Sequence, residues 1–202
     1  MTAMKTPVPV TLQGEHVILR PLQESDIPAL AAVGLEEELW RLGTTVLRTP
    51  QDMATYVRAA LKQQEAGAGL PFVQVHPQTG ALMGSTRFGN IDVPNAGLEI
   101  GWTWIVPAYQ RTAVNTEAKY LLLRHAFEEL GCIRVTLKTD VLNKRSHRAM
   151  LRIGAREEGV LRNHIITSEG RVRDSVILSI IDREWPQVKE RLENLLQPRL
   201  PA

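Results

Sequence analysis

One stretch constrains this chain more than any other: LEIGWTWIVPAYQRTAVNTEAKYLLLRHAFEELG, from Leu98 to Gly131. Leu98, Ile100, Trp102 and Trp104 stand at every second position, which predicts a strand with these side chains on one face and Glu99, Gly101 and Thr103 on the other. Pro107 cannot donate to a sheet ladder, so the strand ends there and hands over to the polar loop PAYQRTAVNT. A helix follows, with Thr116 as the expected N-cap, Glu117 in the first turn, Ala118, Leu122 and Ala126 at helical spacing, and Gly131 just past the end. The first turn of such a helix leaves backbone N–H groups without intrahelical partners at the positive end of the macrodipole. A loop feeding that end suits an anion such as a pyrophosphate, and Arg111 adds a full charge. The same residues also fit an ordinary capped helix beside a solvated arginine, so the loop alone decides nothing.

The rest of the chain has ordinary globular proportions. A length of 202 residues with 44% hydrophobic side chains suits one domain, or at most two, with a proper core. The excess of 24 Lys and Arg over 22 Asp and Glu is too small for a nucleic-acid footprint, and no basic cluster is interleaved with aromatics. A lone cysteine, Cys132, excludes an internal disulfide and reads as an inert packed thiol. The start MTAMKTPVPV resembles neither a signal peptide nor a membrane span, which makes the cytoplasm the expected location with no membrane partner.

Residues 1–12 are expected to form a flexible arm ahead of a single domain over 13–197. His16 to Arg20 reads as an edge strand closed by Pro21, and Ser25-Asp26 starts an amphipathic helix. TPQDMATYVRAALKQQEAG reads as a second helix. Between the two lies Trp40, read either as packing or as a substrate contact. Leu70 to His76 and Leu82 to Ile91 form a hairpin around Pro77-Gln78-Thr79-Gly80, and Leu161 to Thr167 with Arg171 to Ile181 form another around Ser168-Glu169-Gly170. Glu184 to Leu196 closes the chain as a helix, giving one mixed α/β layer structure.

Past the strand RVTLKTDV comes DVLNKRSHRAMLRIGAREEGVLR, an Asn-x-x-Ser helix ending in Gly-Ala and followed by Glu-Gly-Val-Leu-Arg. In order and spacing, the strand, QRTAVNTEA loop, helix, strand and Asn-x-x-Ser helix resemble the GNAT acetyltransferase superfamily, and within it the RimJ/RimL-like branch. Val17 to Pro21 followed by Glu24, Ser25 and Asp26 is similar to that branch's opening, so the resemblance covers nearly the whole chain.

The resemblance implies an α/β GNAT fold, a mixed and mostly antiparallel sheet flanked by helices. It also implies transfer of an acetyl group from acetyl-CoA to a primary amine in a ternary complex, with no metal and no other cofactor. The acceptor would be a small-molecule amine or a protein N-terminus, and dimers are frequent among similar proteins. Trp104, Ile105 and Val106 would bind the pantetheine amides, with one of their N–H groups facing the thioester oxygen, and Gln110, Arg111, Thr112, Ala113, Val114, Asn115 and Thr116 would take the pyrophosphate. Val114 and Thr116 depart from the family's Gln/Arg-x-x-Gly-x-Gly/Ala, where Gly or Ala normally lets phosphate approach. That departure motivates an alternative, a CoA-binding sensor without turnover.

Asn143 matches the family's pantetheine-binding asparagine but also suits an N-cap, and Ser146 is the candidate acid for the departing thiolate because Met150 replaces the usual tyrosine. Glu99 is the candidate base, with an apolar surrounding that would raise its pKa, or else an ordinary salt-bridged glutamate. The family's glutamate on the strand after Glu-Gly falls near Ile165, and the adjacent His164 is expected to point away. Asp174 would orient substrate or pair with an arginine. The five histidines show no metal spacing.

Overall fold

A computed structural model of the chain describes residues 3–197. Eight strands form one sheet: β1 (Leu12–Gln13), β2 (Ile18–Pro21), β3 (Gly69–Val75), β4 (Leu82–Asp92), β5 (Gly97–Ile105), β6 (Arg134–Asp140), β7 (Arg156–Ile166) and β8 (Val172–Ile181), in spatial order β1-β2-β3-β4-β5-β6-β8-β7. All neighbours pair antiparallel except β5 and β6. Six helices flank the sheet: α1 (Ile27–Val33), α2 (Glu37–Trp40), α3 (Pro50–Glu65), α4 (Val114–Arg124), α5 (Lys144–Arg152) and α6 (Trp185–Leu196). The expected α/β architecture of a mixed, mostly antiparallel sheet is therefore present.

Local chemistry places most of these elements. Thr49 caps α3 by accepting from Asp52 N, while the Asp52 carboxylate takes Thr49 N at 2.9 Å, a reciprocal capping box. At the other helical entry, Asp26 accepts from Gln23 N at 2.8 Å and also holds the Arg20 guanidinium. Beyond α4 the chain widens into a π-helical turn, His125–Glu129, before Gly131 with φ +75° ends it.

Two apolar cores lie on opposite faces of the sheet. One packs Leu98, Ile100, Val135, Leu137, Val176, Leu178 and Ile180 against Ala118, Leu122 and Val188 from α4 and α6. The other packs Val73 and Trp104 against Leu30, Trp40, Met53 and Val57 from α1–α3.

Trp104 therefore lies on the face opposite Leu98 and Ile100, against the simple alternation read from the sequence. The cause is a β-bulge: Arg87 pairs with Gly101 and Ser85 with Trp104, so two residues of β5, Trp102 and Thr103, stand opposite Thr86 alone. Trp102 absorbs the kink with φ +50°, and every later side chain changes face. Two glycines of β4 accommodate it. A Cβ at Gly84 (φ +151°) would sit 2.1 Å from the Trp104 carbonyl, and one at Gly89 would sit 2.3 Å from the Trp102 ring.

The amino-terminal arm is packed rather than loose. Met4 is buried with its sulfur 3.8 Å from Cys132 Sγ, Lys5 N donates to Leu130 O at 2.8 Å, and Leu12 opens β1. Consequently β1, not β2, is the outer strand at this edge; Met1 and Thr2 lie outside the described residues. Burial pushes the Cys132 thiol up to about 12, in keeping with an inert side chain.

Candidate active site

The parallel pair β5–β6 holds only from Gly97–Arg134 to Glu99–Thr136. Beyond it the strands part, leaving β5 from Ile100 to Ile105 with a strand neighbour on the β4 side alone. This free edge runs through a 3₁₀ turn, Pro107–Tyr109, to the start of α4. The Val106 N–H is committed to Met83 O at 2.8 Å and the Ile105 carbonyl to Gln110 Nε2 at 2.8 Å. An approaching amide chain therefore meets the backbone before Ile105, not at Val106, and the Trp104 side chain is buried on the helical face.

The start of α4 also differs from expectation. Thr112, not Thr116, organises it: its hydroxyl donates to Tyr109 O at 2.7 Å and accepts from Val114 N at 3.3 Å, so the helix begins at Val114. Thr116 lies inside the helix, buried, accepting from Arg152 Nη2 at 2.7 Å. Val114 is buried in the core, so neither side chain fills the mouth. Among the described residues the N–H groups of Arg111, Thr112 and Ala113 have no backbone or side-chain acceptor, and those of Asn115 and Thr116 lie in the first helical turn. Arg111 turns the loop with φ +64° and is exposed.

Helix α5 adds positive charge to this mouth. Asn143 is its N-cap, accepting from Ser146 N at 3.0 Å, and Arg145 Nη1 reaches Gln110 Oε1 at 2.8 Å. Ser146 is half-buried near that end. Glu117 is withdrawn from the mouth, because its carboxylate accepts the N–H groups of Glu15, His16 and Val17 at 2.9, 2.6 and 2.8 Å. The arrangement offers unpaired amide hydrogens, a helix dipole and guanidinium groups to an anion.

A second group of polar side chains lies on the other side of the parting strands. Along β6, Val135 and Leu137 enter the core, so Thr136, Lys138 and Asp140 face the opposite way, as does Glu99 on β5. Glu99 is buried and accepts from Asn90 Nδ2 at 2.8 Å and Lys138 Nζ at 3.1 Å. Its surroundings are an amide and an ammonium instead of apolar walls, so the salt-bridged arrangement is the one realised.

Around Glu99 the floor is aromatic and cationic. The buried Arg87 guanidinium lies 4.9 Å from the Trp102 ring centroid and 5.4 Å from that of Tyr56, and donates to Gln63 Oε1 at 2.7 Å. Burial raises the Tyr56 pKa. Burial, then Lys138 and Arg173, hold the His164 pKa below its ordinary value, while Glu99 acts in the opposite sense.

His164 thus stands within electrostatic reach of Glu99, contrary to its expected orientation. A second irregularity explains it: between the Leu161–Ser175 and Ile165–Arg173 pairs, residues 162–164 of β7 face one residue of β8, and Asn163 has φ +51°. Asp174 fills that bulge, accepting Asn163 N at 2.7 Å and pairing with no arginine. With His164 it lines an open hollow of about 920 Å³.

Trp40 is not at this surface. It is buried, with its ring tilted against Trp104 at 5.6 Å and edge-on to Tyr56 at 5.5 Å between centroids, and its Nε1–H donates to Gly34 O at 2.8 Å. The connection after it does reach the site. Ser168 N donates to Thr44 O at 3.0 Å, Val46 N donates to Ser168 Oγ at 3.2 Å, and Arg48 pairs with Glu169. The α2–α3 connection and the tip of the last hairpin are thereby clasped. Among the described residues no group of three or more His, Cys, Asp or Glu side chains could hold a metal ion, and no helix is long and apolar enough to cross a membrane.

The family model described as "Acetyltransferase (GNAT) domain" matches residues 16–156, across the opening strand, the parted β5–β6 pair and α5. The chain belongs to the GNAT acetyltransferases. A Bacillus subtilis relative, provisionally named ribosomal N-acetyltransferase YdaF, is 31% identical over 181 residues, 85% of this chain and 94% of that one. A GCN5-related N-acetyltransferase from Brucella melitensis superposes with a TM-score of 0.88 at 27% identity, covering 98% of this chain and 90% of that structure. Mycobacterium smegmatis RimJ, solved with CoA-disulfide, shares the fold with a TM-score of 0.78 at 23% identity, over 93% of this chain and 95% of that one. The chain is an N-acetyltransferase of the GNAT family.

Lys138, Arg173, Asn90, Arg87 and Tyr56 were not singled out from the sequence. The alternation in Arg134–Asp140 carried a signal for the first, since Lys138 shares the polar register of Thr136 and Asp140. The others depend on strand pairing across long separations and had none.

Proposed function

We propose that this GNAT protein transfers an acetyl group from acetyl-CoA to a primary amine by direct attack within a ternary complex. The observation that carries the reading is the single-sided stretch of β5 leading straight into the unpaired amide hydrogens of α4. The diphosphate would lie on the N–H groups of residues 111–116 beside Arg145, and the pantetheine would run antiparallel or parallel along β5 towards the point where β6 departs. That geometry delivers the thioester close to Glu99. The inward-turned side chains of Val114 and Thr116 leave the mouth open and remove the main motive for a turnover-free sensor.

Glu99 is assigned as the base. Held by Asn90 and Lys138, its carboxylate takes a proton from the acceptor ammonium, directly or through a water. The amine nitrogen then attacks the thioester carbon, the C–S bond breaks, and Ser146 Oγ or a water it orders gives the thiolate a proton while regaining the one shed by the new amide nitrogen. An amine at a protein N-terminus is one acceptor class, in line with the name given to the B. subtilis relative.

Titration with acetyl-CoA followed by thiol release over an amine panel tests the reading. Glu99→Gln is expected to lower kcat by about 10²–10⁴ with donor affinity retained. Donor binding without turnover on any amine, together with an indifferent Glu99→Gln, would favour the sensor.

A further inference from the structure

Arg173 of β8 is almost withdrawn from solvent, its side chain only 7% exposed, yet its guanidinium makes no hydrogen bond among the described residues. Its Nε is buried without a partner. The nearest carboxylate oxygen, Asp140 Oδ2, stands 3.8 Å away and is already taken by Arg171, while Asp140 Oδ1 accepts Leu142 N at 2.9 Å. A guanidinium carries five N–H donors in one plane, and leaving even the one at Nε unpaired out of water is costly, so natural folds seldom do so without a use.

Two buried guanidinium groups on this face lack a carboxylate of their own. Lys138 is matched by Glu99 and Arg171 by Asp140; Arg87 rests on Gln63 and on the Trp102 and Tyr56 rings, whereas Arg173 has neither such cover nor a counter-ion it does not share. Two neighbours do not change that sum: the buried Ser175 Oγ is itself unpartnered, and the exposed His164 imidazole is disposed to be neutral. Strand register sets Arg173 and Ser175 on the same face as Asp140 and Lys138, whose ammonium holds Glu99, and the Glu99 charge is felt at Arg173.

We propose that Arg173 is the seat for a carboxylate carried by the acceptor, so that the amine to be acetylated belongs to a molecule with an acidic group near it. This rests on the transferase reading above and narrows its acceptor class. A carboxylate meets the planar fork of Arg173 through two parallel N–H···O bonds, which a neutral isostere of the same shape cannot match. The same surplus charge disfavours polycationic amines. An acidic first residue of a peptide and the α-carboxylate of a free amino acid supply the same chemistry.

The test compares acceptor pairs that differ in one charge: a peptide beginning with Asp against one beginning with Asn, and a free amino acid against its amide. In the unaltered chain the acidic member of at least one pair is expected to have a kcat/KM higher by about tenfold or more, and the pair that shows it identifies the source. Arg173→Gln should bring that ratio close to one, and Arg173→Lys should restore part of it, with acetyl-CoA titration verifying that both variants fold. No preference in either pair, or a preference that Arg173→Gln leaves intact, overturns the assignment. Titration of glutarate into the CoA-loaded chain and into Arg173→Gln separates the two ideas. Turnover of neutral amines without glutarate binding sinks the carboxylate seat and spares the transferase. Glutarate binding that requires Arg173, without turnover of any amine, does the reverse.

Discussion

The two halves of the sheet are dressed differently on the face that carries α1–α3. Under those helices, β3 and β5 present Val73 and Trp104 to an apolar layer with Leu30, Trp40, Met53 and Val57. Across the parting of β5 and β6, the same face of β6 and β8 presents Lys138, Asp140, Arg173, Ser175 and Ser179, and no residue of β6, β7 or β8 joins that layer. The covered half stores stability through packing; the uncovered half keeps polar groups in pairs whose partners can be exchanged for a ligand. The difference puts rigidity on the first half and leaves the second as the place where the proposed recognition would occur.

Substitutions can break this contrast. The largest stability loss is expected on the covered half, where Trp40→Ala empties a site packed on Trp104 and Tyr56 and should cost about 3–5 kcal/mol in denaturant unfolding. An equal loss from Arg173→Gln would erase the distinction between the halves. Glu117→Ala comes next: it strands the N–H groups of Glu15, His16 and Val17 and should cost about 2–4 kcal/mol.

Lys119 sharpens the comparison through pH. Burial lowers its pKa to about 7, and Nζ donates to Thr103 Oγ1 at 2.8 Å, on the face served by α4. The unfolded chain protonates this lysine near its ordinary value of 10.5, so between there and about 7 the unfolded state binds more protons. Stability must therefore fall as the pH is lowered through that interval and level off below it. The displacement corresponds to at most about 5 kcal/mol; Lys119→Met should flatten the slope and raise stability near pH 7 by about 1–3 kcal/mol, read from unfolding curves at several pH values. The smallest effect is expected at the exposed Arg48–Glu169 pair, where Arg48→Ala should leave the unfolding midpoint nearly unchanged but raise the KM for the acceptor by loosening the clasp.

Much of the fold was legible because its signals are local. Thr49 with Asp52, the Pro77-to-Gly80 turn and the alternation through Arg134–Asp140 each act within a few residues. The site was legible only in part. The alternation put Glu99 on β5 and the loop ahead of α4, but Trp102 and Asn163 adopt positive φ without being glycine, so nothing in the pattern announced that side chains beyond them would change face. Thr116 was taken for a cap because Thr112, four residues earlier, satisfies Val114 N by a contact that spacing alone does not reveal. Arg173 escaped notice because being unpartnered is a property of three strands together.

The carboxylate of Glu117 ties the leading strand pair to the very helix whose first turn would greet the donor. Tension applied ahead of residue 16, by a fused tag or a bound neighbour, is therefore transmitted to that first turn, where the proposed diphosphate site lies. Donor affinity acquires a handle far from the groove, and the choice of which terminus to extend becomes a biochemical variable.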